Sequence, residues 1–217
     1  MHSTGVADLR HYIRCYDDDL SADQCRQMIH SFAALQRFQQ YNGRRLRRGL
    51  EESEWTELNV TRLSDPGFTG LFRGLVDRAL ERYNADIGLT LPIPNSPLTT
   101  DLVMKRYRPG GSERFQLHYD SIYHVANRYL VLLWYLNDVA SGGETRFPAL
   151  DVEVRPRAGR LLMFPPYWMY QHEGCAPVSN DKYILSTYLL FDIPPTPKPG
   201  QFPQEGQTPA TGPAQVS

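Results

Sequence analysis

From Asp101 onward the helical spacing of apolar residues gives way to short β-prone runs, and this switch is what most limits the folds open to the chain. The runs are Leu102 to Tyr107, Phe115 to His118, Tyr129 to Leu136, Val152 to Val154, Arg160 to Phe164 and Tyr183 to Phe191, each set off by Gly, Pro, Asn or Asp. Upstream the pattern is helical. Ser21-Ala22-Asp23-Gln24 reads as a capping box, and Met28, Ile29, Phe32 and Leu35 follow at helical spacing, which predicts a helix over about Ala22 to Leu35 with His30 at its surface. Asp65-Pro66 opens a second helix, whose apolar face runs from Phe68 to Tyr83 and continues to about Asn84, with Gly88 beyond. Short strands are expected at Tyr12 to Tyr16 and at Trp55 to Thr61, the second as a wall of a substrate pocket.

Helices first and antiparallel strands afterwards predict an α+β chain: a double-stranded β-helix (jelly roll) with supporting N-terminal helices. Residues 1–100 would supply the helices and flanking strands, and 101–193 the jelly-roll core of the same domain. Residues 194–217, with seven prolines, read as a disordered tail, a self-substrate being the alternative.

Within the β region, His118 and Asp120 stand two residues apart, a spacing that puts both side chains on one face of an extended strand. His172, 52 residues after Asp120, is the proposed third ligand. Two histidines and one carboxylate leave three positions open on an octahedral metal, which suits non-heme Fe(II) and oxygen better than structural zinc. Cys175, three residues after His172, is the alternative sulfur ligand, and His124 is expected to line the pocket or lie exposed. Lys182 opens an apolar, β-prone run, and a buried ammonium there needs an anionic partner.

Between about Leu102 and Asp192 the chain shows, in order, Tyr107-Arg108-Pro109-Gly110, His118-x-Asp120, Tyr135-Leu136-Asn137-Asp138-Val139 and Gly142-Gly143-Glu144-Thr145-x-Phe147-Pro148. Gly159-x-Leu161-Leu162-x-Phe164-Pro165, His172 and Lys182 then follow. This ordered set resembles the Fe(II)/2-oxoglutarate-dependent dioxygenases, specifically the prolyl 4-hydroxylase-like branch. The resemblance implies Fe(II) held by His118, Asp120 and His172, and 2-oxoglutarate chelating the iron with its far carboxylate on Lys182. Tyr107 and Tyr135 would donate hydrogen bonds to the cosubstrate, and Thr145 would be a small polar wall of the same slot. It further implies O2 as oxidant, ascorbate as a supporting reductant, and hydroxylation of an unactivated C–H bond as 2-oxoglutarate is decarboxylated to succinate. The substrate would be a prolyl residue in a peptide, a free amino acid or a small metabolite.

Many relatives carry arginine where this chain has Lys182, and the lysine favours the prolyl hydroxylase-like branch over the nucleic-acid demethylases. The presence of Asp120 disfavours a halogenating variant. Leu117 stands where the family often has proline.

The remaining features narrow the alternatives. A net charge of −1 gives no general attraction to nucleic acid or anionic membrane. No apolar run reaches the ~18 residues of a membrane span, and Met1 to Tyr16 lacks the apolar region of a secretory signal. Cys15, Cys25 and Cys175 form no C-x-x-C pair, so reduced thiols and a cytoplasmic location are expected. Arg44, Arg45, Arg47 and Arg48 read as a solvated loop balanced by nearby glutamates, or as an anion-recognising lid. Tyr119, Tyr123, Trp168 and Tyr170 flank the ligand positions as candidate substrate walls, and no apolar seam predicts an oligomer. A catalytically silent jelly-roll binding module and a nucleic-acid-modifying oxygenase are the competing readings; the intact ligand set speaks against the first, the near-neutral charge against the second.

Overall fold

The computed structural model of the protein describes residues 8–44 and 49–192. Arg45, Arg47 and Arg48 of the basic run, the start of the chain and the proline-rich tail lie outside the described residues. In chain order the elements are β1 (Arg14–Tyr16), α1 (Ala22–Ala34), β2 (Gln40–Gly43), β3 (Glu54–Asn59), α2 (Pro66–Ile87), β4 (Leu98–Thr99) and β5 (Val103–Tyr107). They continue with β6 (Phe115–His118), β7 (Arg128–Tyr135), β8 (Thr145–Phe147), β9 (Val152–Val154), β10 (Leu161–Phe164), β11 (His172–Gly174) and β12 (Lys182–Leu190).

Two sheets form the sandwich. The larger has the order β1-β10-β7-β12-β5-β3-β2, with β4 paired to β12, and the smaller has the order β6-β11-β8-β9. All named pairings are antiparallel. Strands from the first hundred residues thus extend the same sheet that β5, β7 and β12 build.

The period-two alternation of the central strands sorts side chains into two cores. On β7, Leu130, Leu132 and Trp134 face the helices and meet Phe72, Leu75 and Leu80 of α2. Val131 and Tyr135 face the other way and join Tyr107, Phe147, Phe164 and Ile184 between the sheets. Fully burying a side chain of this size contributes ~1.5–3 kcal/mol, so the helices are held chiefly by this shared face rather than by helix propensity.

Local chemistry sets the helix ends. Ser21 and Gln24 form the reciprocal capping box at the start of α1. Asp65 accepts from the Phe68 N–H to cap α2, with Pro66 in its first turn. The helix continues to Ile87, past the expected Asn84, because the turn that ends it is at Gly88, whose φ of +62° is left-handed and whose N–H returns to the Asn84 carbonyl.

Four strands were not anticipated. β2, β4, β8 and β11 have only two to four residues each, too few to show a period, and they exist because a neighbouring strand offers its ladder. The Thr61 end of the expected third-strand region is instead a 3-10 turn over Thr61–Leu63. Among the described residues no helix is long and apolar enough to cross a membrane.

Several contacts fasten the segment before α1 to the sheet, those of Asp19 and Gly159 among them. Asp19 accepts from the Trp134 indole N–H at 2.7 Å and pairs with Arg82 of α2 at 3.2 Å. The Gly159 carbonyl accepts from the Asp19 and Leu20 N–H groups, while its own N–H donates to the Tyr135 carbonyl. Gly159 sits at φ +80°, and a Cβ there would lie 2.2 Å from the Leu20 carbonyl oxygen. Gly159→Ala should therefore destabilise the protein by at least ~1–3 kcal/mol from backbone strain, with the clash added to that. A lowered urea midpoint is the expected outcome, and an unchanged midpoint would refute this account of the contact.

Candidate metal centre

The antiparallel pairing of β6 with β11 sets His172 directly opposite His118. Asp120 is close for a different reason from the one its spacing suggested. β6 ends at His118, and Asp120 lies in the following bend, where its N–H and that of Ser121 both donate to the Pro166 carbonyl, at 3.0 and 3.1 Å. Chain held by the loop after β10, rather than the pleat of one strand, brings the carboxylate to the imidazoles. His118 Nε2 is 3.3 Å from Asp120 Oδ1, His172 Nε2 is 3.5 Å from Oδ2, and the three donor atoms all lie within 4.8 Å of one another.

Each imidazole is oriented by the backbone. His118 Nδ1 lies 2.7 Å from the Gln116 carbonyl oxygen and His172 Nδ1 lies 3.1 Å from that of Tyr170. A carbonyl can only accept, so both Nδ1 atoms carry the proton and both Nε2 lone pairs are left for a metal. Aromatic neighbours hold the ring planes: Trp55, Phe115 and His118 stack in succession, and Phe164 meets His172 edge-on.

The protonation states suit the same role. Burial pushes the His172 pKa down to about 4, with His118 adding to the effect and Asp120 opposing it. Burial alone would raise the Asp120 carboxyl, but the adjacent His118 and His172 outweigh it and hold the group well below the usual carboxylate range. At neutral pH the donors are therefore a neutral His172 and an ionised Asp120, with no proton to lose at either. Among the described residues no fourth His, Cys, Asp or Glu joins this group, so Cys175 is not a ligand. His124 is exposed and lines the outer cleft. A facial set of two histidines and a carboxylate fits Fe(II) with open positions.

Behind the metal residues lies a narrow cavity of about 40 Å³ between the sheets, lined by Tyr107, Thr145, His172 and Lys182 among others. Lys182 is only 3% exposed, and among the described residues no carboxylate forms an ion pair with it. Its ammonium lies over the rings of Tyr107 and Tyr135, 5.4 and 5.7 Å from their centroids. Burial pushes its pKa down to about 8. Tyr107 sits across the ladder from Lys182 and lines the cavity, and burial raises its phenol well above the ordinary value.

Tyr135, expected to meet the cosubstrate, is not among the residues that line this cavity. Its hydroxyl donates to Thr145 Oγ1 at 2.6 Å, a buried bond joining the two sheets. Thr145, accepting that hydrogen bond, keeps its own hydroxyl proton for an acceptor in the cavity.

Two residues that the sequence reading passed over complete the metal side. Tyr188 donates to Asp120 Oδ1 at 3.2 Å. The Arg128 guanidinium lies 3.9 Å from the centre of the Tyr188 ring and 3.4 Å from the Asp120 carbonyl oxygen. A signal for Tyr188 existed: counting by twos from Lys182 along β12 gives Ile184, Ser186 and Tyr188, all of which line the inner cavity.

Outside these residues an open cleft of about 950 Å³ leads to His118 and Asp120. Tyr119, Tyr123 and Trp55 line it, as expected for Trp55 on β3. Trp168 and Tyr170 do not: Trp168 is exposed elsewhere, and Tyr170 is buried with its hydroxyl on the Leu9 carbonyl. Arg44 pairs with Glu54 at 3.6 Å, while Gly49 and Leu50 lie at the cleft. Removing the hydrogen bond that orients Asp120 should weaken the metal site specifically. Tyr188→Phe is expected to lower affinity for Fe(II) or Co(II) about tenfold, measured by anaerobic titration, with an unchanged circular dichroism spectrum; equal affinity in both proteins would exclude the orienting role.

Residues 102–190 match the family model of the 2OG-Fe(II) oxygenase superfamily. Among curated protein sequences none matches the chain. Solved structures similar to it include the viral collagen prolyl hydroxylase of Paramecium Bursaria Chlorella virus-1 in its 2OG complex, at 21% identity, TM-score 0.58, and 82% and 95% coverage of this chain and that one. A Pseudomonas putida prolyl-4-hydroxylase is 19% identical, with TM-score 0.58 and coverage of 83% and 92%. A Trichoplax adhaerens prolyl hydroxylase in complex with a hypoxia inducible factor oxygen degradation domain peptide fragment is 18% identical, with TM-score 0.64 and coverage of 83% and 84%. At these identities the likeness shows a shared fold. Residues 102–190 thus match the 2OG-Fe(II) oxygenase superfamily, and the chain has the jelly-roll fold that these prolyl hydroxylases share.

Proposed function

We propose that the chain hydroxylates a C–H bond of proline in a peptide, with 2-oxoglutarate converted to succinate and carbon dioxide. The observation that carries the oxygenase reading is the pairing of a complete His118, Asp120, His172 donor set with a buried Lys182 that has no carboxylate partner among the described residues. The peptide reading is supported by the open cleft of about 950 Å³ and by the substrates in the names of the similar structures. A silent binding module has no use for either the donor set or the buried cation.

The roles of the residues follow from their geometry. His118, Asp120 and His172 would hold Fe(II), which when bound supplies the redox chemistry that activates O2. Lys182 would bind the far carboxylate of 2-oxoglutarate, and a charge-assisted bond in so buried a slot is strong. Tyr107 and the Thr145 hydroxyl would donate to the same molecule, and Tyr135 would position Thr145. The stacked Trp55 and Phe115 would wall the metal on one side. Tyr188 would keep Asp120 in place while substrate enters along the cleft.

Anaerobic addition of Fe(II) and then 2-oxoglutarate to metal-free protein should produce a visible metal-to-ligand charge-transfer band, and His172→Ala should abolish it. Well-folded protein with no band at saturating cosubstrate would overturn the oxygenase reading. Succinate release with proline peptides, with ascorbate as supporting reductant, then tests the substrate.

Lys182 generates a second prediction. Its folded pKa of about 8 lies below the 10.5 of the unfolded chain, so the unfolded state binds the proton more tightly. Ligand-free stability is therefore penalised most below pH 8, and the penalty is relieved as pH rises from about 8 to 10.5. At pH 7 Lys182→Met should raise ligand-free stability by up to about 3 kcal/mol, while abolishing stabilisation by 2-oxoglutarate in a denaturant titration. In the unmutated protein 2-oxoglutarate binding should weaken as pH rises above 8, where the ammonium is lost. Pure destabilisation by Lys182→Met, or flat binding across that range, would contradict the assigned role.

A further inference from the structure

The described chain leaves the sheet beside the cleft. Leu190, the last residue of β12, pairs with Arg128; the Phe191 N–H donates to the Asn127 carbonyl at 2.8 Å, and the Phe191 ring packs on Tyr129. Arg128 lines the cleft and its guanidinium reaches the Asp120 backbone. The exit point is thus one strand spacing and one arginine side chain away from a metal-ligand residue. From Asp192 the sequence continues Ile193-Pro194-Pro195-Thr196-Pro197-Lys198-Pro199-Gly200. Any five to seven residues span at most ~17–25 Å when fully extended, more than the strand spacing and arginine side chain that separate the exit point from Asp120, so Pro197 and Pro199 are within tether range of the cleft.

The cleft also has the surface such a segment needs. Trp55, Phe115, Tyr119, Tyr123 and Tyr188 line it, and grooves walled by aromatic rings are the usual receivers of proline-rich chain. Tyr123 is the telling one. Its backbone is left-handed, with φ of +51°, although it is not glycine, and its ring is 84% exposed, so no packing of its own offsets the strain. A ring held out at the rim in this way is placed to meet a ligand.

We propose that the chain hydroxylates prolines of its own segment after Asp192, in cis; this rests on the prolyl reading of the site given above. The covalent tether supplies a local concentration on the order of millimolar without any further contact. The reaction consumes one O2 and one 2-oxoglutarate per proline. One oxygen atom enters the C–H bond to give C–OH, and the other enters the new carboxylate of succinate as carbon dioxide leaves. Two electrons from the C–H bond and two from the oxidative decarboxylation together reduce O2.

The test uses the full chain with Fe(II), 2-oxoglutarate and O2, mixed with an equal amount of nitrogen-15-labelled full-length His172→Ala protein and a synthetic Pro-Pro-Gly repeat peptide. Proteolysis and mass spectrometry follow. The expected result is a gain of one oxygen on prolines of residues 193–217 in the unlabelled chain alone, at a rate per chain that does not change on dilution. Equal gain in the labelled chain would overturn action in cis. No gain on either segment, with the repeat peptide hydroxylated and succinate released, would overturn the proposal and leave the prolyl reading intact. No oxygen gain on segment or peptide would overturn both.

Discussion

The register between β6 and β11 is the constraint on which the site depends. It sets His172 opposite His118 across a single ladder step, and a slip of one residue on either strand would send one imidazole to the far face of the sheet. Neither strand can hold that register alone, being four and three residues long. The larger sheet stabilises it from across the sandwich, through the aromatic and aliphatic core between the layers and through the Tyr135 to Thr145 hydrogen bond that joins them.

Lys182 opposes that stabilisation in the ligand-free protein. Among the described residues it has no carboxylate counter-ion, a cost that a hydrophobic side chain of similar size would not carry, and the same burial pushes its pKa down. The arrangement makes sense if the missing charge arrives with the cosubstrate. The same low dielectric that penalises the lone ammonium then strengthens its bond to a carboxylate. Stability and cosubstrate binding are thereby linked through one side chain.

The N-terminal half does more than cover the sheet. β3 pairs with β5 and presents Trp55 to the Phe115 and His118 stack, so a residue from the first hundred positions touches the metal side directly. The Trp55 indole N–H donates to Glu57, and Asn42 of β2 donates to the same carboxylate, which fixes this wall of the cleft. The helices act at one remove: α2 buries the outer face of β7 and so holds the strand whose inner face carries Tyr135.

By itself the sequence determined the helix caps, the segments of the central strands, the three residues that cluster as a candidate donor set and the buried lysine. Each of these is written in short-range chemistry: Ser21 with Gln24, Asp65 with Pro66, an imidazole and carboxylate two residues apart, a charge opening an apolar strand. Only the tertiary structure decided how those groups are held. Asp120 is placed by the Pro166 carbonyl, not by the pleat; Tyr135 is turned to Thr145; Tyr188 was legible as facing the cavity but not as a partner of Asp120, and Arg128 was not legible as part of the metal side. Tyr188 meets Asp120 across 68 positions of sequence, and although the period of β12 turns Tyr188 inward, no pattern in either stretch names its partner. Local preferences are properties of a few adjacent residues, whereas a long-range contact exists only once two sheets have packed and fixed their registers.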